Sequence, residues 1–267
     1  MIEIAGILNI TPDSFSDGGK NIAVEDAVKT ALEMYHNNVA IIDIGAESTR
    51  PGADEISADE EWGRLEPILQ NLKSSSDFAK NFDRISIDTR NPETAEKAIK
   101  YGVGYINDVS GFNSQEMIEV VKKSDCKLIF MHSLTVPADK KITISEDEDP
   151  VKVVVEWAKD KISQFHQQGI DSNRLIFDPG LGFGKTASQS FEIIKRVDEL
   201  KPLGLPLFIG HSEKSMFALF TDLPAGKRDI ETTSTSFYLT QKNVEYIRVH
   251  DFKKNLRAVK LAEALKN

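Results

Sequence analysis

One cysteine, Cys126, in 267 residues leaves no partner for an intrachain disulfide, so the fold rests on its core and a reducing compartment is expected. Long apolar runs are also missing. None approaches the roughly 20 residues that a membrane helix needs, and Met1-Ile2-Glu3-Ile4-Ala5-Gly6 offers neither a basic leader nor an apolar stretch. The expectation is a cytoplasmic chain with no membrane partner. Positive charge is scarce: 33 basic against 42 acidic residues leave a formal charge of −9. A uniformly acidic surface repels phosphate backbones, which excludes a general nucleic-acid binder but leaves room for a local basic pocket. Glycine, at 16 residues, is far too rare for a collagen repeat, and 40% hydrophobic residues are too many for a disordered chain.

What the sequence has instead is alternation. Short apolar runs recur at 4–8, 40–44, 85–88, 105–107, 127–131, 175–177, 206–209 and 246–249. Several are unbroken Ile, Leu and Val, the pattern of strands buried on both faces. The segments between them carry helical periodicity. Val24, Ala27, Val28, Ala31, Leu32 and Tyr35 fall on one helical face. Ser57 and Glu60 have capping-box spacing, and Asn91-Pro92 offers an N-cap with proline at the first helical position. Further helices are expected over 114–123, 149–168, 188–200 and 252–265, with two after the seventh run, over 213–220 and 230–241. Eight such units without a composition break predict an α/β fold, a single (β/α)8 TIM barrel occupying residues 1–267 as one domain. A doubly wound open sheet is the competing architecture. The stretch 132–149 reads as a long, solvated loop.

A barrel of this kind places its site at the carboxyl ends of the strands. Nearly every run here exits into a polar side chain: Asn9, then Glu47 to Arg50, Asp88, Asn107, His132, Asp178, His211 to Ser215, and Arg248 with His250. Asp43 lies inside the second run. Each has an ordinary alternative. Asp88 could cap the next helix, Asn107 could form a turn, and each basic residue could make a surface ion pair. Together they describe one polar rim. Asp88, Asn107 and Asp178 offer acceptors and an amide, suited to a flat heterocycle with a donor-rich edge. Arg50, Arg248 and His250 offer cationic donors for an anionic group.

The segment Gly180-Leu181-Gly182-Phe183-Gly184-Lys185 is neither a phosphate loop, its spacing being one residue short, nor a dinucleotide fingerprint. Its glycines read as enablers of a tight loop, with Phe183 as a wall for a ring. No HExxH, cysteine cluster or GxSxG is present, which removes the common zinc-peptidase and α/β-hydrolase readings.

The stretches from Gly6 to Gly19, from Glu47 to Ala53, Ser86 to Thr89, Ile106 to Gly111, Met131-His132, Asp178 to Lys185, Lys214-Ser215 and Arg248 to Asp251 together resemble the dihydropteroate synthases, the sulfonamide-target family of folate biosynthesis. The resemblance spans almost the whole chain in family order. It implies a transferase that joins 6-hydroxymethyl-7,8-dihydropterin diphosphate to p-aminobenzoate, releasing pyrophosphate and 7,8-dihydropteroate by a dissociative, Mg²⁺-assisted substitution. Carried over by motif, the catalytic set is Asp88, Asp178, Lys214, Arg248 and His250. Asp88, Asn107, Met131, Asp178 and Lys214 would hold the pterin. Asn9, Thr49, Arg50, Arg248 and His250 would hold the diphosphate, with Asn9 also a ligand of the Mg²⁺ cofactor. Thr49, Pro51, Phe183, Lys214 and Ser215 would form the aminobenzoate pocket, helped by the helix N-terminus after strand seven. Phe15, Ser16 and Asp17 would belong to a mobile loop. A homodimer is implied as well.

One departure matters. The family usually has Ser-Arg-Lys-Ser where this chain has Ser212-Glu213-Lys214-Ser215. If Glu213 faces the aminobenzoate carboxylate, repulsion raises KM and Glu213→Arg lowers it. If it points elsewhere, the change is neutral. Two alternatives on the same barrel are a corrinoid-type pterin methyltransferase and a non-enzymatic pterin-binding paralogue.

Overall fold

The computed structural model describes residues 2–10, 20–48, 55–76 and 78–266. Strands and helices alternate along them: β1 (Glu3–Asn9), α1 (Lys20–His36), β2 (Ile41–Gly45), α2 (Ala58–Ser74), β3 (Ile85–Asp88), α3 (Pro92–Tyr101), β4 (Tyr105–Asp108) and α4 (Gln115–Val121). The second half follows with β5 (Lys127–Met131), α5 (Pro150–Gln167), β6 (Leu175–Asp178), α6 (Ala187–Lys195), β7 (Phe208–Ile209), α7 (Asp229–Gln241), β8 (Tyr246–Val249) and α8 (Phe252–Ala264). The strands are parallel and lie in the order β6-β5-β4-β3-β2-β1-β8-β7. A bridge between Phe177 of β6 and Leu207, next to β7, joins the two ends. The sheet is therefore a nearly closed α/β TIM barrel, not an open doubly wound sheet.

Register turns this topology into a site. Asn9 pairs with Gly45, Gly45 with Asp88, and Asp88 with Asn107, one continuous row across four strands. Met131 pairs with Asp178 at the same end of the barrel. Side chains alternate along a strand, so residues two apart share a face. Asp43 therefore lies one layer beneath Gly45 on the inner face. Below it, Ala5, Ile41, Ile129, Ile176 and Phe208 form an apolar plug. The outward residues Ile42, Ile44, Ile85, Ile87 and Ile106 pack under the helices in the main core. Each such side chain gains about 1.5–3 kcal/mol from leaving water.

Local chemistry sets the helix ends. Ser57 accepts the N–H of Glu60 and starts α2, but Glu60 turns to Arg64 instead of completing the box. Thr186 and Gln189 do form a full capping box at α6. Asn91 precedes Pro92 as expected, yet its amide reaches Glu61 of α2 and makes no cap.

Two expectations fail, and a third holds only in part. The helix over 188–200 ends as α6 at Lys195 and continues as a 3-10 segment, Val197–Leu203, where Pro202 lacks the N–H a regular helix needs. The segment after β7 is a five-residue 3-10 turn, Ser215–Leu219, and Pro224 follows closely. It is too short to supply the helix N-terminus expected for an aminobenzoate carboxylate. The loop 132–149 is largely exposed, as expected, but it is anchored at two points. Ala138 and Ile144 are buried, the Ile144 N–H donates to Gly184 O at 2.9 Å, and Gln189 Nε2 donates to Ile144 O at 2.8 Å. Its apolar residues seat it against the turn after β6.

Candidate active site

The floor of the barrel mouth is an ionic cluster assembled from four strands. Arg248 on β8 donates through Nε to Asp43 Oδ2 at 2.6 Å and through Nη2 to Asp88 Oδ2 at 2.8 Å. Asn107 Nδ2 donates to the same Asp43 oxygen at 3.1 Å. Asp43 is fully buried, and its Oδ1 has no hydrogen-bond partner among the described residues. A buried carboxylate is retained only when charge and donors surround it, and here Arg248 supplies both. Burial pushes the Asp88 carboxyl up to about 7, with Asp43 adding to the rise and Arg248 opposing it. Asp88 is thus no helix cap, and Asn107 forms no turn. That duty falls to Asp108, which accepts the N–H groups of Ser110 and Phe112.

The side wall comes from β6. Asp178 Oδ1 accepts the Gly180 N–H at 2.7 Å, and burial lifts its pKa to about 6. The turn that follows is stapled from within. Lys185, buried, donates through Nζ to Gly180 O at 2.9 Å, Phe183 O at 3.0 Å and His132 Nδ1 at 2.7 Å. Loss of hydration lowers the Lys185 ammonium to about 7 and His132 to about 3, so His132 is a neutral acceptor. Gly180 has φ 67 and comes so close to His132 O that a Cβ would lie 1.9 Å from it. Only glycine fits there. This turn carries Phe183, and Lys214 Nζ lies 4.7 Å from its ring centroid, a cation–π distance. Loss of hydration lowers Lys214 to about 8, opposed by Asp178.

The exits of β7 and β8 meet at Ser212. Its Oγ accepts the His250 N–H at 3.3 Å and lies 3.0 Å from His250 Nδ1. With the hydroxyl donating to Nδ1, the ring proton sits on Nε2. His211 is buried and joined through Nε2 to Ser236 Oγ at 2.9 Å. The Glu213 carboxylate accepts the N–H groups of Gly226 and Arg228, so it serves the 221–228 segment. Of the two alternatives for Glu213, this geometry favours the one in which its carboxylate turns away from a bound carboxylate.

Asp88, Asn107, Met131, Asp178, Phe183, Lys214, Arg248 and His250 therefore gather at the strand ends, with Asn9 exposed at the end of β1 and Ser215 exposed in the 3-10 turn. Thr49, Arg50, Pro51, Phe15, Ser16 and Asp17 lie outside the described residues. Two partners carry no role in the sequence reading. Asp43 is one; its inward parity with Gly45 was the available signal. Arg90 is the other: it grips Glu47 in a two-pronged pair, both contacts 3.0 Å, and also pairs with Glu55 at 3.0 Å. No sequence spacing announces that contact. Among the described residues, no group of three or more His, Cys, Asp or Glu side chains is arranged to hold a metal ion.

The family model described as pterin binding enzyme matches residues 5–250. A dihydropteroate synthase from Clostridium beijerinckii is 38% identical over 264 residues, covering 98% of this chain and 93% of that protein. The chain belongs to the dihydropteroate synthase family of pterin-binding enzymes. A probable bifunctional folylpolyglutamate synthase/dihydropteroate synthase from Halobacterium salinarum is 40% identical over 261 residues. This chain spans only 31% of its length. Among solved structures, dihydropteroate synthase from Anaplasma phagocytophilum with bound 6-hydroxymethylpterin-monophosphate superposes with a TM-score of 0.89 at 39% identity, covering 99% of both chains. The dihydropteroate synthase motifs in the described residues coincide with the polar floor, the Phe183 turn and the exits of β7 and β8.

Proposed function

We propose that the chain is a dihydropteroate synthase that condenses 6-hydroxymethyl-7,8-dihydropterin diphosphate with p-aminobenzoate, releasing pyrophosphate and 7,8-dihydropteroate. The observation that carries this reading is the acceptor set Asp88, Asn107 and Asp178 in one barrel mouth, faced by the donors Lys214 and Arg248. An aminopyrimidine ring presents parallel N–H donors, and ionised Asp178 accepts such a pair. Asn107 gives one N–H to Asp43 and keeps its carbonyl and a second N–H for the ring. Lys214 donates to a ring oxygen or nitrogen, and Met131, buried beside the Gly180 turn, packs on the ring face.

In this reading the reduced pterin loses diphosphate first and leaves positive charge spread over the ring and its exocyclic methylene carbon. Asp88 and Asp178 stabilise that charge electrostatically. The amine of p-aminobenzoate then attacks that methylene carbon from the side of Phe183 and gives up a proton to solvent. Lys214 and Ser215 lie beside it, and the family resemblance assigns Thr49 and Pro51 to the same pocket. Thr49 and His250 donate hydrogen bonds to the departing diphosphate, and Arg50 and Arg248 neutralise it. Arg248 does so while held on Asp43 and Asp88, so its position is set before the anion arrives. The family resemblance assigns Phe15, Ser16 and Asp17 to a cover that would exclude water, which would otherwise trap the cation.

The donor chemistry at the end of β1 fits Mg²⁺. Asn9 Oδ1 and Asp88 Oδ2 lie 3.7 and 3.6 Å from the point a Cβ on Gly45 would occupy, so two hard oxygens flank one small gap. Asn9 would hold the ion. Such an ion keeps water and phosphate oxygens in its shell and adds charge neutralisation for the leaving group. In the same reading residues 1–267 act as one domain, the active form is a homodimer, and the enzyme works in the cytoplasm.

Steady-state pyrophosphate release tests this. Release should saturate with p-aminobenzoate and require the pterin diphosphate and Mg²⁺ together. Tight pterin binding with no aminobenzoate-dependent release would instead make the chain a binding paralogue.

A further inference from the structure

Glu213 stands at φ 60, in the left-handed region that side chains other than glycine rarely adopt. Backbone of this kind persists only where its surroundings over-determine it. The surroundings here are reciprocal. Glu213 Oε2 accepts the N–H of Gly226 at 2.6 Å and of Arg228 at 3.1 Å, and the Glu213 N–H donates to Thr232 Oγ1 at 3.2 Å. In return, Arg228 Nη1 donates to Lys214 O at 2.8 Å and Glu213 O at 3.4 Å, while its Nε donates to Leu223 O at 2.8 Å. The carboxylate and the guanidinium each hold the other residue's backbone. Two segments, the turn after β7 and the stretch 223–228, are thereby locked together by charge-assisted bonds, the stronger kind.

The residue inside this lock is Lys214. Its carbonyl is the acceptor nearest to Arg228 Nη1, and it also receives the Phe217 N–H at 3.2 Å. Its side chain runs past Gly182, where a Cβ would lie 3.9 Å from Lys214 Cδ, and ends over the Phe183 ring. A long side chain amplifies backbone rotation, so a small change in the dihedrals at Lys214 carries Nζ off that ring. Displacements of about 1 Å are enough to cost a reaction about a hundredfold when they misplace a reacting group.

We propose that Glu213 is a positioning residue: its carboxylate, by holding Gly226 and Arg228, fixes the backbone of Lys214 and so seats the Lys214 ammonium over Phe183. The claim rests on the reading of Lys214 as a contact for both substrates. It also accounts for the residue type. The place demands an acceptor on a stem long enough to meet two N–H donors. An arginine there would bring donors to donors.

The test compares wild type with Glu213→Ala, Glu213→Gln and Glu213→Arg in the full chain. Three quantities are measured: kcat and KM for p-aminobenzoate, the melting temperature, and the rate at which acetic anhydride acylates Lys214. The acylation is read by peptide mass spectrometry against the buried Lys161 and Lys185. Glu213→Ala should lower kcat/KM about tenfold and speed Lys214 acylation several-fold, with Lys161 and Lys185 still protected. Glu213→Gln keeps an oxygen for both N–H donors and should recover most of the activity. Glu213→Arg should be no better than alanine. Wild-type kcat/KM and wild-type Lys214 acylation in Glu213→Ala, even with a lower melting temperature, would overturn the proposal and leave Glu213 a purely structural brace. If wild type itself releases no pyrophosphate, the enzymatic reading fails separately, and the Lys214 acylation rates still decide whether Glu213 sets that side chain.

Discussion

Two lysines stand at neighbouring strand exits and lead opposite lives. Lys185, after β6, is buried and spends its donors on Gly180 O, Phe183 O and His132 Nδ1. It holds a turn. Lys214, after β7, is half-buried and is itself held, through its backbone, by Arg228. Its ammonium is left for Phe183 and for substrate. The same side chain is thus scaffold in one loop and reagent in the next. The difference lies in how many carbonyls converge on the ammonium. An ammonium with three donors and three close acceptors has none to offer a ligand, whatever its pKa.

The largest contrast should come from removing each ammonium in turn. Lys214→Met should lower kcat/KM by about a hundredfold to a thousandfold, the usual cost of losing one preorganised donor, with little change in melting temperature. Lys185→Met should do the reverse in kind. Buried acceptors left unpaired cost about 1–3 kcal/mol each, so a loss of roughly 3 kcal/mol and a melting temperature about 10 °C lower are expected in a thermal melt. Equal stability losses in the two proteins would erase the distinction.

A finer contrast lies in pH. Folding depresses Lys185 to about 7 from its ordinary 10.5. A group depressed in this way contributes stability that is present above the ordinary value and is lost as pH falls through about 7. Denaturant titrations from pH 6 to 10 should therefore show wild type gaining stability with pH more steeply than Lys185→Met. The catalytic profile should be bell-shaped. The acid limb lies at about 6 to 7, where Asp178 and Asp88 ionise and become acceptors, and the alkaline limb at about 8, where Lys214 loses its proton. Lys214→Arg should remove the alkaline limb and leave the acid one; an alkaline limb that survives would assign it to another group.

The strands were legible because buried parallel strands are written as unbroken Ile, Leu and Val, and the rim was legible because one end of a barrel collects the functional side chains. Asp88, Asn107 and Asp178 stood out at strand ends for that reason. What could not be read depends on contacts between distant residues. Asp43 looks like any polar interruption of a strand until Arg248 is seen upon it. Glu213 could face a substrate or turn away, and only the N–H groups of Gly226 and Arg228 decide. The loop 132–149 is mostly exposed, as its polar composition implies; what stayed hidden is the anchoring of Ala138 and Ile144, with one bond to Gly184. The helix expected over 213–220 forms only as the 3-10 turn Ser215–Leu219, a distinction that periodicity over so short a segment does not make.

The Asp43–Arg248 pair joins residues 205 positions apart, and the Asp88–Arg248 pair joins residues 160 apart. Chains are made from the N-terminus, and contacts of such separation form late. Seven strands can be synthesised with two acidic side chains turned toward the same interior and no guanidinium between them. The eighth strand brings that counter-charge when it enters between β1 and β7. Completing the barrel and assembling its recognition floor are therefore one event, so a chain arrested before β8 lacks the neutralising partner and the site together.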